Sequence, residues 1–259
     1  MAASPSSTLS RRKVLRTAAT SAGALAAVGV VLPRTATAQQ AAQQSTAATP
    51  TVLGKLIDYA AGVPRASVVK AAGYDGAIRY ISHRRPGEEG WMLGKPLTIK
   101  ETKDFALHGL SIASVYQFGR AESADWRRGA AGVVVHAPQA MEFHRLAGGP
   151  TGKPLYIAID DNPSKAQYES LIRPYLAAFE ATLKNNGYRL GVYANYPTID
   201  WLVGDGIGEY FWQHNWGSGG KIHPRANLHQ VKINATDVDN VRVDINHIYT
   251  QDWGQWQPA

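Results

Sequence analysis

Residues Leu155–Ser164 read LYIAIDDNPS. An unbroken apolar run, with no glycine and no charge, reads as a strand buried on both faces, the kind found in parallel sheets. It stops on two adjacent carboxylates, Asp160 and Asp161, and then on Asn162-Pro163, residues that turn a chain. Side chains alternate along a strand, so Asp160 shares a face with Tyr156 and Ala158, and Asp161 points the other way. Only one of the two acids can therefore face a common interior. Ser164 is placed to cap a helix over residues 165–186, bent near Pro174 and stopped by Gly187.

Working outward, the same strand–helix alternation recurs. Strands are expected at 52–60, 77–82, 111–118, 155–161 and 189–195. Between them lie a short helix at 66–73, a helix from Thr98 to Gly109 with Glu101 in capping-box position, and a helical region at 123–146 that Pro138 should divide. A short helix at 197–203 precedes three further strands at 209–216, 228–234 and 241–249, whose connections are too short for full helices. Eight strands, the first five alternating with helices, predict an α/β fold: a (β/α)8 TIM barrel with helices reduced or lost in the last third. A doubly wound open sheet fits less well, because no glycine-rich phosphate turn follows the first strand.

The amino terminus sets the compartment. SRRKVLR (Ser10–Arg16) precedes a mildly apolar stretch rich in Ala and Gly, from Ala18 to Leu32, followed by Ala36-Thr37-Ala38. Paired arginines, a weakly apolar core and a small-residue cleavage site read as a twin-arginine export signal over residues 1–38. Residues 39–50 are polar and of low complexity, a disordered linker, and 51–259 form one domain. The net charge of +7 is largely the signal's: residues 1–38 hold five basic side chains and no acids, leaving 22 basic and 20 acidic residues elsewhere. With that near balance, nothing favours a nucleic-acid partner. Cysteine is absent, so an exported fold rests on its core alone. Secretion to the cell envelope through the twin-arginine translocase, as a monomer, is expected.

In a barrel, chemistry gathers at the carboxyl ends of the strands. The polar residues there are Asp58 on the first strand, Asp160 on the fourth, Tyr193 on the fifth, Trp212, Gln213 and His214 on the sixth, His229 and Gln230 on the seventh, and Asp244 on the eighth. Carboxylates brought together push one another's pKa apart, which acid–base catalysis exploits. Each has a plainer reading: Asp161 as turn chemistry, Asp58 paired with Arg79, Asp244 tied to Arg242 or a backbone amide, Trp216, Trp253 and Trp256 as packed lids. No zinc spacing, P-loop or G-x-S-x-G elbow occurs, and DVDN (Asp237–Asn240) lacks the glycine and distal glutamate of a calcium loop. No cofactor and no metal are called for.

Taken together, the leader, LIDYA, YIAIDDNPS, GVYANY, YFWQHNW and VRVDIN resemble the exported, actinobacterial, glycoside-hydrolase-like barrels, a family distantly similar to the family 25 lysozymes. The resemblance runs from Val52 to Tyr249. It implies an acidic cleft, and a cell-envelope glycan, peptidoglycan or polysaccharide, as ligand. Lysozymes of that kind carry an aspartate on strand one, D-x-E on strand four and an aspartate on strand eight. The matching positions are Asp58, Asp160 with Asn162, and Asp244, so an amide stands where the proton-donating glutamate is expected. The resulting expectation is a glycoside hydrolase in which Asp160, Asp58 and Asp244 do the chemistry and Tyr193, Trp212, Gln213, Gln230 and Asn162 hold the sugar. A glycan-binding barrel without catalysis, and a phosphodiesterase-type barrel using His214 and His229, remain the alternatives.

Overall fold

The computed structural model describes residues 50–258; the export signal at 1–38 and all but the end of the linker lie outside them. Eight strands close into one barrel in sequence order: β1 (Gly54–Asp58), β2 (Gly76–Tyr80), β3 (Ser111–Tyr116), β4 (Pro154–Ala158), β5 (Arg189–Ala194), β6 (Tyr210–His214), β7 (Leu228–Val238) and β8 (Val241–Ile248). From β1 to β7 neighbours run parallel, while β8 is antiparallel to both β7 and β1. The fold is thus a mixed α/β closed barrel that departs from a regular (β/α)8 at its last strand. The reason is local: β7 and β8 are joined by a two-residue turn, Asp239-Asn240, both at positive φ, and so short a turn can only return the chain antiparallel.

Helices α1 (Ala66–Ala71), α2 (Ile99–Leu107), α3 (Val133–Leu146), the single turn α4 (Lys165–Gln167), α5 (Arg173–Asn185) and α6 (Tyr196–Asp205) follow successive strands up to β5. Two apolar layers result. One lies between the barrel and its helices, around Phe105, Ile157, Tyr175, Phe179 and Phe211. The other fills the barrel itself, around Leu56, Ile78, Val115, Tyr156, Trp212 and Leu228. Gly191 makes the second possible: a Cβ there would lie 2.7 Å from the Tyr156 ring.

Several local expectations change. Pro138 does not divide its helix. It is exposed within α3, four residues after the exposed Val134, so the carbonyl it deprives of a partner faces water. The break falls instead at Gly129, whose φ of 54° and ψ of −150° suit glycine. Glu101 completes no capping box, although Thr98 does cap α2. Its carboxylate is buried with Arg79, which also donates to the carbonyls of Tyr59 and Gly94 and so joins β1, β2 and the 84–97 loop outside the barrel. Near Pro174 the helix passes through a π turn, Tyr168–Ile172, rather than a simple bend.

Candidate functional site

The inward positions at the mouth follow from alternation. On β4, Tyr156 and Ala158 face inward, and Asp160, just past the strand, continues that face into a cleft of ≈ 340 Å³. Its walls include Tyr80, Gln117, Arg120, Tyr193, Trp212 and Trp216, and Asp244 lies among the lining residues. Asp244 reaches the cleft because β8 runs backwards: it pairs with Asp58, and Asn246 pairs one layer deeper with Leu56. In a regular parallel barrel, a residue halfway along the last strand would lie below the mouth.

A chain of donors fixes this floor. The Trp212 Nε1–H can only donate, and it donates to Asn246 Oδ1 at 2.8 Å. That turns the Asn246 amide nitrogen toward Asp58, 2.8 Å away. Tyr193 OH donates to Gln230 Oε1 at 2.7 Å, which turns the Gln230 nitrogen to both Asp58 Oδ2 and Asp244 Oδ2, each at 3.0 Å. The two carboxylates sharing that donor lie no further apart than twice this distance. Asp244 also accepts from the backbone N–H of Asn234 at 2.6 Å. Burial, and then the charge of Asp244, hold the Asp58 carboxyl far above the usual range, and burial raises Asp244 as well. Carboxyls this close titrate as a coupled pair. Asp58 is only 1 % exposed and does not line the cleft, so Asp244 is the member a ligand can touch.

Asp160 stands apart from that pair. Gln117 Nε2 donates to it at 2.9 Å. Burial pushes its carboxyl up to about 6, against the opposing pull of Gln117, with Asp161 adding to the rise. Asp161 itself faces away and accepts from Trp126 Nε1 at 2.9 Å.

Other expected residues are taken up by contacts of their own. Asn162 accepts from Asn195 Nδ2 at 3.0 Å, because the Asn195 oxygen is occupied in capping α6. It lies so close to Gly217 that a Cβ there would meet Asn162 Oδ1 at 1.8 Å. Gln213 is fully buried and clamps the following loop, donating to the carbonyl of Lys221 and accepting from the N–H of His223. Trp212 lines the cleft but is 1 % exposed, its ring 4.2 Å from that of Tyr193, so it has no open face for a sugar. Two half-buried aromatics line the mouth, Tyr80 and Trp216, the latter stacked on His214 at 4.0 Å. Trp253 and Trp256 plug the opposite end, where the carbonyl of Trp253 accepts from Tyr156 OH and Trp256 pairs with Ile112 at the start of β3. His214 and His229 do not line the cleft: His214 Nδ1 is bonded to the Trp216 carbonyl, and His229 lies beside Tyr249 and pairs in register with His247. Among the described residues, no three His, Cys, Asp or Glu side chains are grouped to hold a metal.

Arg120, Ile233 and Asn234 were not legible as lining residues. Arg120 sits in the loop after β3, and Ile233 and Asn234 reach the cleft only because the β7–β8 hairpin overhangs it. Gln117 did have a signal, as the polar residue that ends the third strand.

A closed barrel with carboxylates lining one mouth and aromatic walls around them defines a glycoside-hydrolase-like protein. The chain belongs to the Rv2525c-like, glycoside hydrolase-like domain family, whose profile matches residues 67–248. It is 51% identical over 249 residues, 96% of this chain and 99% of the other, to Rv2525c of Mycobacterium tuberculosis, whose name ranks it provisionally among peptidoglycan hydrolases. The crystal structure of that twin-arginine-secreted protein in complex with L-tartrate superposes with a TM-score of 0.76 at 53% identity, covering 79% of this chain and 99% of that one. A family 25 glycosyl hydrolase of Streptococcus pneumoniae, at 13% identity, matches with a TM-score of 0.55 over 77% of this chain and 88% of its own, a likeness of fold alone. With its twin-arginine leader and this relative, the protein is one secreted to the cell envelope.

Proposed function

We propose that the protein hydrolyses a glycosidic bond in a cell-envelope glycan, with peptidoglycan the first substrate to test. The observation that carries this is geometric: Asp160 and Asp244 line one cleft, and Asp244 shares the Gln230 amide donor with Asp58 behind it, while burial raises the Asp160 carboxyl to about 6. An acid poised near neutrality donates a proton to the leaving oxygen, and an ionised partner acts as base or nucleophile. Asp160 is the donor and Asp244 the partner. Asp58 is a positioning residue that accepts from the same Gln230 amide as Asp244. Trp216 offers the sugar a face, and Tyr193 and Gln230 hold Asp244 in place. The relative's name supports the choice of peptidoglycan. Release of reducing ends from purified peptidoglycan by the wild type, and its loss in Asp160→Asn with an unchanged circular dichroism spectrum, is the expected result. Equal release by that variant would remove Asp160 from the mechanism.

A binding barrel without turnover is the second reading, and the placing of Asn162 outside the cleft favours it, since the strand-four glutamate of the lysozymes then has no counterpart there. Retention of peptidoglycan fragments with no reducing ends after prolonged incubation would establish it.

A further inference from the structure

Beside the cleft, on its β2–β3 side, lies a second cavity of ≈ 120 Å³ that shares Tyr80, Gln117, Arg120 and Asp160 with it. Three cations line it: Arg85, Lys95 and Arg120. Asp160 is its one acidic lining residue, and Trp91, 49% exposed, stands at its rim. Lys95 is the unusual member. It is 2% exposed, its ammonium lies 4.4 Å from the Tyr80 ring centroid, and it donates to a single acceptor, the Gln117 carbonyl at 2.8 Å. An ammonium has three N–H groups, and a buried cation without a carboxylate partner is costly to a fold. Arg85 is paired with Glu88 at 2.6 Å and also donates to the carbonyls of Phe118 and Gly119, whereas Arg120 has no ion-pair partner among the described residues.

We propose that this second cavity is a subsite for the carboxylate of an acidic sugar, next to the sugar that spans Asp160 and Asp244. The proposal rests on the glycan reading above and narrows it to glycans that carry a carboxylate. Two guanidiniums and a buried ammonium converge on a space that suits a substituent rather than a second ring. Arginine forks match carboxylate oxygens, and Lys95 gains the counter-charge it lacks. A single negative charge fits better than a phosphate dianion, because Asp160 faces the same space. Burial, and then Arg85, lower the Lys95 pKa to about 7; Arg79 lowers it further, while Asp125 and Glu88 oppose the shift. A bound carboxylate reverses that shift, so binding takes up a proton near neutrality.

The test uses the full chain carrying Asp244→Asn, which stops turnover and leaves this subsite intact. Two probes are titrated by calorimetry: a peptidoglycan-derived disaccharide with a free lactyl carboxylate, and the same disaccharide with that carboxylate amidated. The acid is expected to bind about tenfold tighter at pH 6, an advantage that shrinks as pH rises through 7. Adding Lys95→Met should remove the preference and its pH dependence. Adding Arg120→Gln, at an exposed position where folding is not at risk, should reduce the preference alone. Equal affinity for the two probes, or variants that weaken both alike, overturns the subsite but not the glycan reading. Binding of neither probe overturns both. Tighter binding of a sugar phosphate than of the carboxylate overturns the choice of anion.

Discussion

The parallel wall from β1 to β6 and the antiparallel hairpin of β7 and β8 supply the cleft in different ways. The wall delivers Asp58 and Asp160 at or just beyond strand ends, each stiffened by helices behind it. The hairpin delivers Gln230 and Asp244 from mid-strand, and its outer part, from Lys232 to Asn234, is exposed. Its register slips twice between Gln230 and Thr236, and Asn234 takes a φ of 47° to bring its N–H to Asp244. The wall fixes position by packing as well as by side-chain amides, whereas on the hairpin Asp244 is held by the Gln230 amide and the Asn234 backbone N–H. The cleft therefore lies between a rigid wall and a softer one.

The strongest way to break this division is at the two carboxyls proposed to react. Asp160→Asn on the wall and Asp244→Asn on the hairpin should each cut reducing-end release by about 10²–10⁴-fold. Loss in one variant only would mean that one side carries the chemistry alone. Next in size is the wall's own anchor. Arg79→Met leaves Glu101 charged, buried and unpaired, and should cost about 3–5 kcal/mol in urea unfolding. A smaller cost would mean that water enters there and that the wall is less rigid than its packing indicates.

A pH series sharpens the contrast further. Asp160 must be protonated to donate, so kcat/KM should fall as pH rises through about 6. The same shift acts on stability. The folded pKa lies above the ordinary 3.8, so the folded state binds this proton more tightly than the unfolded chain does. Its stabilising contribution is complete below 3.8 and is lost as pH rises through about 6. Asp160→Asn should therefore show a smaller drop in Tm between pH 4 and pH 7 than the wild type; an identical drop would place the titration elsewhere. The smallest effect is expected at Asn162. Turned to Asn195, Asn162→Asp should leave turnover within about twofold. A large gain in rate would bring that side chain into the cleft after all.

Much of this was readable along the chain. Eight strands, and the opposite faces taken by Asp160 and Asp161, came from apolar runs and period-two alternation, which are local properties; which of the two faces inward was settled by closure of the barrel. Asp239-Asn240 has the residue types of a tight turn, and a two-residue turn reverses the next strand. Asn162, Gln213 and the tryptophans were harder. Their polarity or aromaticity suited a sugar site, but capping of α6, the clamp on the Lys221 loop and the barrel floor took them up. Those uses depend on residues distant in sequence, such as Asn195, His223 and Ile112.

The sequence by itself determined the export route, the alternating α/β pattern and the carboxylates offered at strand ends, because each follows from short-range composition and spacing. The tertiary structure alone decided that β8 descends, that Asp58 lies behind Asp244 rather than beside Asp160, and that Lys95 is buried without a counter-charge. Which charges meet, and how much water each loses, depends on barrel closure, and closure joins segments that have no fixed distance from one another until the chain has folded.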